Sequence, residues 1–455
     1  MTTTPTIDSL RTVCEGRVHL PGDPGYDAAR LAWNLLVDQR PAAVAVPHTV
    51  DEVADVVRAA AAAGLRVAPQ STGHAAAPLN ESDLSGVVIV RLSELTGVSI
   101  DPEAGTARVV GGTLWADVVA AAAPYGRTAM HGSAGDVSVI GYLLGGGLSF
   151  YGRRHGVAAN SVRAVEVVTA DGSLVRASAT EHPDLFWALR GGGGNLGVVV
   201  AMEIELLPYA EVFAGMLLWD RERSPEVVRA WAAWTREVPD SVTTSLRLMS
   251  FPPLPDLPPF LSGRQIVVID GAVLEDDDRA AELLAPLRAL APEMDTFGRI
   301  PSTGLVAVHM DPPAPVPSVG QHLVVGELTE DAVVALLGEA GPGSTTSLMF
   351  AELRHLGGAL AHPVEGGGVL TSVAGDYALL GVAMAPFPEA AAQGRADAAA
   401  LCAAMAPYAT GTHVLTFCET RGDLATVYGE GWERLRAVRA EVDPDGVFLA
   451  NHTIA

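Results

Sequence analysis

The stretch Leu65-Arg66-Val67-Ala68-Pro69-Gln70-Ser71-Thr72-Gly73-His74 is an apolar run that meets a proline, turns through small residues and delivers a histidine at its tip. Val67 and Ala68 suit a buried strand, and Pro69, which cannot donate to a sheet ladder, is expected to end it. Ser71, Thr72 and Gly73 carry little side-chain bulk, so their backbone N–H groups can approach an anionic group closely. Alone, this is a turn with a histidine in it; its meaning depends on its surroundings.

Upstream, Thr49 can cap a helix and Glu52, three residues on, can reach back as a capping box. Val50, Val53, Val56, Val57 and Ala60 follow at helical spacing until Gly64 stops the element. Downstream, Val87 to Leu92 and Ala107 to Gly111 read as strands. Thr113 to Ala123 reads as a helix with Leu114, Val118 and Ala121 on one face. Helices alternating with strands indicate an α/β or α+β core. His131 to Gly141 is loop-rich and leads into Tyr142-Leu143-Leu144-Gly145-Gly146-Gly147. Consecutive glycines in an apolar segment mark a place where a ligand or another backbone lies close. Val162 to Thr169 and Ser173 to Ser178 flank Asp171-Gly172, a strong hairpin signal.

Gly192, Gly194 and Gly197 satisfy the G-x-G-x-x-G spacing of a dinucleotide loop, but that loop needs a strand before it and a helix after it. Here a helix (Asp184 to Leu189) precedes and a strand (Val198 to Leu206) follows, so the Rossmann reading is rejected. After Pro208 the texture changes. Helical stretches (Ser224 to Arg236, Asp278 to Leu290) alternate with strand-like ones (Gln265 to Ile269, Ala378 to Ala383), as in antiparallel strands backed by helices. The tail carries a strand (Val414 to Phe417), a helix (Leu424 to Val438) and an ending that includes Asn451. The organisation expected is residues 1–208, an inserted unit at residues 209–409, and a return at residues 410–455.

Composition narrows the function. The 455 residues exceed one ordinary core. A formal charge of −24 disfavours nucleic acid and anionic membranes. No apolar run is long enough to span a membrane and the N-terminus lacks a secretory pattern, so a cytoplasmic protein is expected. Cys14, Cys402 and Cys418 form no metal-spaced cluster. All 29 basic residues are arginine, which excludes chemistry that requires a lysine amine: a pyridoxal Schiff base, a lysine aldolase, a P-loop NTPase or a protein kinase.

In order and spacing these segments resemble the FAD-linked oxidases of the berberine bridge enzyme and vanillyl-alcohol oxidase (PCMH-type) superfamily, particularly its bacterial branch with 6-hydroxynicotine oxidase. The likeness runs from about Pro41 to Pro208 and resumes in the tail, with echoes at Asp311-Pro312-Pro313 and at Glu352 to Ala359. The resemblance implies an α+β fold: a two-subdomain FAD-binding domain with an inserted substrate domain. It implies FAD attached covalently through His74, by a neutral imidazole acting on an electrophilic flavin. Gln70, Ser71, Thr72 and Gly73 are then the loop that holds the pyrophosphate, and Ala75 also meets the cofactor. His131, Gly132, Ser133, Asp136, Gly141 and Gly147 form a second flavin-binding run, Val199 meets the adenine and Asn451 approaches the flavin ring. Some relatives attach flavin a second time through a cysteine in this run. The matching position is Ala134, so a single attachment is expected.

The proton acceptor is less defined. Many relatives carry an Asn-Tyr pair where this chain has Thr416-Phe417, and phenylalanine accepts no proton. Substitutes come from Glu419, His413, Tyr377, Asp376, Tyr142 or His355, with Tyr142 and Tyr377 preferred. The activity implied is oxidation of an alcohol, amine or phenol-type carbon of a small secondary metabolite, with molecular oxygen as acceptor and peroxide as product. The alternatives are a dehydrogenase with another acceptor and a non-catalytic flavin-binding protein. The chain is expected to be a monomer or homodimer, without nucleic-acid or membrane partners.

Overall fold

The computed structural model describes residues 7–454 except 254 and 256. Three sheets and their helices make up the fold.

The first sheet has strands β1 (Val18–His19), β2 (Ala43–Ala45), β3 (Arg66–Gln70) and β4 (Val87–Arg91), in the order β1-β2-β4-β3. β2, β4 and β3 run parallel. Helix Val50–Ala62 lies against it, burying Val53, Val56, Val57 and Ala60 on Val67, Val88 and Val90. The Thr49 side chain accepts from the Glu52 N–H as foreseen, while the Glu52 carboxylate takes the His48 N–H at 2.6 Å. Contrary to the sequence reading, β3 continues through Pro69 to Gln70. It is an edge strand whose alternate N–H groups point away from β4: that of Val67 reaches Val447. By the same alternation the Pro69 nitrogen faces outward, where no ladder bond is lost.

The second sheet is antiparallel: β5 (Thr96–Asp101), β6 (Thr106–Gly111), β7 (Val162–Val168), β8 (Leu174–Ser178) and β9 (Val198–Glu205), ordered β5-β6-β9-β7-β8. β7 and β8 form the foreseen hairpin, with Gly172 at φ +77°. Val168, Val198 and Val200 share a core with the first sheet. The helix after β6 spans Trp115–Ala122 and buries Trp115, Val118, Val119 and Ala122, so its inward face is rotated from the Leu114, Val118, Ala121 stripe. The segment read as loop holds a short helix, Val139–Leu144.

The third sheet joins β10 (Glu211–Asp220), β11 (Val242–Ser250), β12 (Gln265–Val273), β13 (Met294–Asp295), β14 (Gly298–Pro301), β15 (Ser318–Val325), β16 (Phe350–His355) and β17 (Tyr377–Met384). Its main path is β13-β10-β12-β11-β16-β17-β15. Helices Ser224–Thr235, Asp277–Arg288, Glu330–Ala340 and Pro388–Met405 cover one face, against Leu246, Ile269, Leu353 and Leu379. Successive strand residues point to opposite faces, so Ser245, Arg247, Asp270, His322, Glu352 and Arg354 occupy the other face, away from the helices.

The tail returns to the first sheet, where the Leu449 N–H meets the Val67 carbonyl. Leu415–Phe417 is a 3₁₀ turn where the sequence suggests a strand. The last helix is broken at Gly429 (φ +49°) into Leu424–Tyr428 and Trp432–Val442.

Candidate active site

A groove runs between the first two sheets, the uncovered face of the third and the returning tail. It comprises two cavities, of about 130 and 350 Å³, that share Pro69, Gln70, Ser71, Ala75, Gly141, Thr416 and Asn451 in their walls. The narrow end is bounded by Gly191, Gly193, Gly194 and Val199, the wide end by Trp33, His74, Ala134, Tyr142, Arg354 and Glu419. The inverted glycine loop and the histidine loop are therefore two ends of one groove.

At the wide end, Gly73 (φ +79°) turns the chain after β3, and a Cβ there would lie 3.0 Å from the Ala32 Cα. The His74 ring stacks on Trp33, with ring centres 4.6 Å apart, and its Nδ1 lies 2.7 Å from the Thr72 hydroxyl. Its Nε2 is 3.6 Å from Asp136 Oδ1, too long for a hydrogen bond, and is buried without a partner among the described residues. Trp33 Nε1 donates to Asp136 Oδ2 at 2.7 Å. Burial opposes the Asp136 charge, but His74 and Trp33 together hold its carboxyl below the usual range. Asp136 thus acts on the groove by fixing Trp33 and facing His74.

Helix Val139–Leu144 presents Tyr142, whose ring is edge-on to Trp115 and lies against Gly132 and Gly147. Its hydroxyl is buried with no partner among the described residues, and burial pushes the phenol well above its ordinary value. A buried hydroxyl left unpaired costs about 1–3 kcal/mol, so the wall is suited to a polar ligand atom. Together with the loop N–H groups and the narrow glycine-lined end, this fits an elongated, partly anionic cofactor such as FAD. Gly147 serves this wall indirectly: at φ +78° a Cβ would fall 2.3 Å from Tyr142 Cε1. Gly147→Ala should cost at least about 1–2 kcal/mol from the backbone alone and displace Tyr142. Thermal unfolding and flavin content of the purified variant check this.

Most expected cofactor residues line the groove: Gln70 to Ala75, Gly132, Ser133, Gly141, Val199 and Asn451. The Gln70 amide is committed to a reciprocal pair with Gln39, 3.0 Å in each direction. Two expectations are corrected beside Gly147. His131 is wholly buried behind the wall, with Nδ1 2.7 Å from the Gly132 carbonyl and its ring edge-on to Tyr151. Burial lowers it to about 4. It is a core histidine. Tyr377 points to the helix-covered face of the third sheet, its hydroxyl 2.5 Å from that of Thr235, and cannot reach the groove. Strand parity decides this, and parity needs a register that the sequence reading lacked.

That reading also missed a buried charge network on the groove-facing side of the third sheet. Register places Ser245 opposite both Asp270 and Arg354, and Arg247 opposite Glu352. Asp270 accepts from Ser245 at 2.7 Å and from Arg247 at 2.5 Å, and its Oδ1 lies 3.0 Å from His309 Nδ1. Arg354 Nε donates to Glu352 at 2.6 Å, and its guanidinium sits 4.9 Å over the Phe417 ring. Burial disfavours the imidazolium, yet Asp270, Glu352 and Asp311 lift His309 to about 9 against Arg247. Burial opposes the Glu352 charge as well, but Arg354 and His309 hold that carboxyl far below the usual range. Charged residues at alternate positions of an apolar strand, as in Phe350 to Arg354, are the signal that could have revealed this face.

Comparison with known proteins agrees with the groove. Residues 41–178 match the FAD binding domain family. The chain is 34% identical over 207 residues to (R)-6-hydroxynicotine oxidase of Paenarthrobacter nicotinovorans, covering 45% of this chain and 44% of that protein. The aligned stretches span under half the length of the first curated relatives. Among solved structures, a variant of Physcomitrella patens BBE-like 1 superposes with a TM-score of 0.86 at 22% identity, over 99% of both chains. Glucooligosaccharide oxidase from Acremonium strictum, described as carrying 6-S-cysteinyl, 8α-N1-histidyl FAD, superposes with a TM-score of 0.82 at 20% identity, over 99% of both. Residues 41–178 thus match an FAD binding domain, carried in a chain that shares the fold of these two solved structures.

Proposed function

We propose that this protein is a flavin-dependent oxidase with FAD attached covalently through His74 alone, oxidising a small organic molecule with oxygen as acceptor and hydrogen peroxide as product. The observation that carries this reading is the placement of His74. Its Nε2, without a hydrogen-bond partner among the described residues, is buried in the wide end of a groove whose narrow end is glycine-lined and meets Val199. Ala134 stands in the same wall, and none of Cys14, Cys402 and Cys418 lines the groove, which supports a single tether. Residues 1–208 and 410–455 would hold the cofactor, and residues 209–409 would roof the wide end.

When bound, FAD supplies the two-electron acceptor for the substrate C–H bond. The chain supplies position and electrostatics. The N–H groups of Ser71 to Gly73 suit the pyrophosphate, and the backbone at Val199 suits the adenine. Trp33 and Asp136 hold the His74 ring in orientation, and Tyr142 offers its unpaired hydroxyl to a polar edge. Arg354, locked by Glu352, presents a fixed positive group opposite. Acid precipitation of purified protein tests the tether: the pellet should be yellow, and a colourless pellet with flavin in the supernatant would refute it. Peroxide release during turnover in air tests the acceptor.

A further inference from the structure

Resting on the flavin-oxidase reading above, we propose that Glu419 is the side chain that accepts the substrate's O–H or N–H proton. The usual candidate is missing, since Phe417 is a hydrocarbon and its ring is covered by the Arg354 guanidinium. Tyr142 keeps a hydroxyl without a partner among the described residues, but burial raises its phenol well above the ordinary value and so disfavours the phenolate that would accept a proton. The other groups around the wide end are committed elsewhere. Both ring nitrogens of His322 are used: Nδ1 lies 2.7 Å from the Leu379 carbonyl, and Nε2 accepts from the Val414 N–H at 3.0 Å. Glu352 is tied to Arg354, and Asp311 faces the charges of His309 and Arg354.

Glu419 differs from these. It follows Phe417 by two residues, in the 3₁₀ turn's exit, and lines the same cavity as His74, Tyr142 and Arg354. One oxygen is fixed by the Gly320 N–H of β15 at 2.7 Å. The other has no hydrogen-bond donor among the described residues and is left for a ligand. Fixing one carboxylate oxygen and freeing the other orients a proton acceptor without consuming it. Burial lifts Glu419 to about 7, against the pull of the Gly320 N–H and of Arg395 on helix Pro388–Met405. The carboxyl therefore changes charge near neutrality, where an acid–base group is most effective.

The substrate O–H or N–H proton passes to the Glu419 carboxylate while the C–H bond breaks, its hydrogen and both electrons leaving as a hydride to the bound flavin, and a C=O or C=N bond forms. The two electrons then reduce molecular oxygen, which leaves as hydrogen peroxide with the hydride's proton and the one held by Glu419. This requires a substrate with an ionisable O–H or N–H on the carbon oxidised, which is the substrate class the site selects.

The test uses the holoprotein and its Glu419→Gln and Glu419→Asp variants. The flavin absorbance of the oxidised wild type, titrated across neutrality, should show one transition near pH 7 that Glu419→Asp keeps and Glu419→Gln lacks. Flavin in the acid pellet should be equal in all three. Xylobiose and cellobiose, each with an O–H on its anomeric carbon, serve as probe reductants without oxygen. With any that reduces the flavin, the wild-type rate should rise through pH 7 and fall on the order of a hundred-fold or more in Glu419→Gln. A transition that persists in Glu419→Gln, none in the wild type, or reduction of Glu419→Gln at the wild-type rate would overturn the assignment. Protein that carries no flavin at all would overturn the oxidase reading beneath it.

Discussion

His74→Ala will convert bound flavin from covalent to dissociable. Acid precipitation of the wild type should carry the flavin into the pellet, and the same treatment of the variant should leave the pellet colourless. The effect is all-or-none because no cysteine offers a second tether: Ala134 lacks sulfur and none of the three cysteines lines the groove. The substitution also removes the ring stacked on Trp33, but His74 lies outside the hydrophobic cores, so the fold should persist. Unfolding by tryptophan fluorescence would show a midpoint close to wild type. Covalent flavin surviving in the variant would move the attachment point to another residue.

Asp270→Ala is expected to have the largest effect on stability. It strips the carboxylate from Arg247 and His309, whose side chains are 5% and 2% exposed, and leaves buried charge unpaired. Breaking such a pair costs about 3–5 kcal/mol, read as a lower denaturant midpoint. The pH dependence carries a second signature. His309 is raised from its ordinary value to about 9, so its stabilising contribution is fully present below about pH 6.5 and is lost as pH rises through about 9. Wild-type stability should therefore fall across that alkaline window, by at most about 3 kcal/mol from this group. Asp270→Asn, which keeps the shape and removes the charge, should flatten that fall. An alkaline profile identical in the variant would mean that Asp270 does not hold the imidazolium.

Much of the cofactor half was legible from residues alone, because its signals are local. A capping threonine, a hairpin Asp-Gly and a proline–glycine loop each act within a few positions, so Thr49, Asp171-Gly172 and Gln70 to His74 could be read in place. Local reading failed where a neighbour decides. Pro69 stays in its strand because its nitrogen faces away from β4, so no bond of the β3–β4 ladder is lost. His131, beside Gly132, turns inward because Tyr151 and the Gly132 carbonyl enclose it.

The sequence by itself determined the loop that ends in His74, the absence of lysine chemistry, the order of the glycine segments and the missing tyrosine at Phe417. Only the tertiary structure decided which side chains face the groove in the inserted sheet. Asp270, Arg247 and Arg354 stand far apart in the chain and meet because antiparallel register sets them opposite Ser245 and Glu352. The same alternation turns Tyr377 away toward the helices and leaves Gly320 facing Glu419. Period-two geometry assigns each residue a face, but only strand pairing says which face is the site.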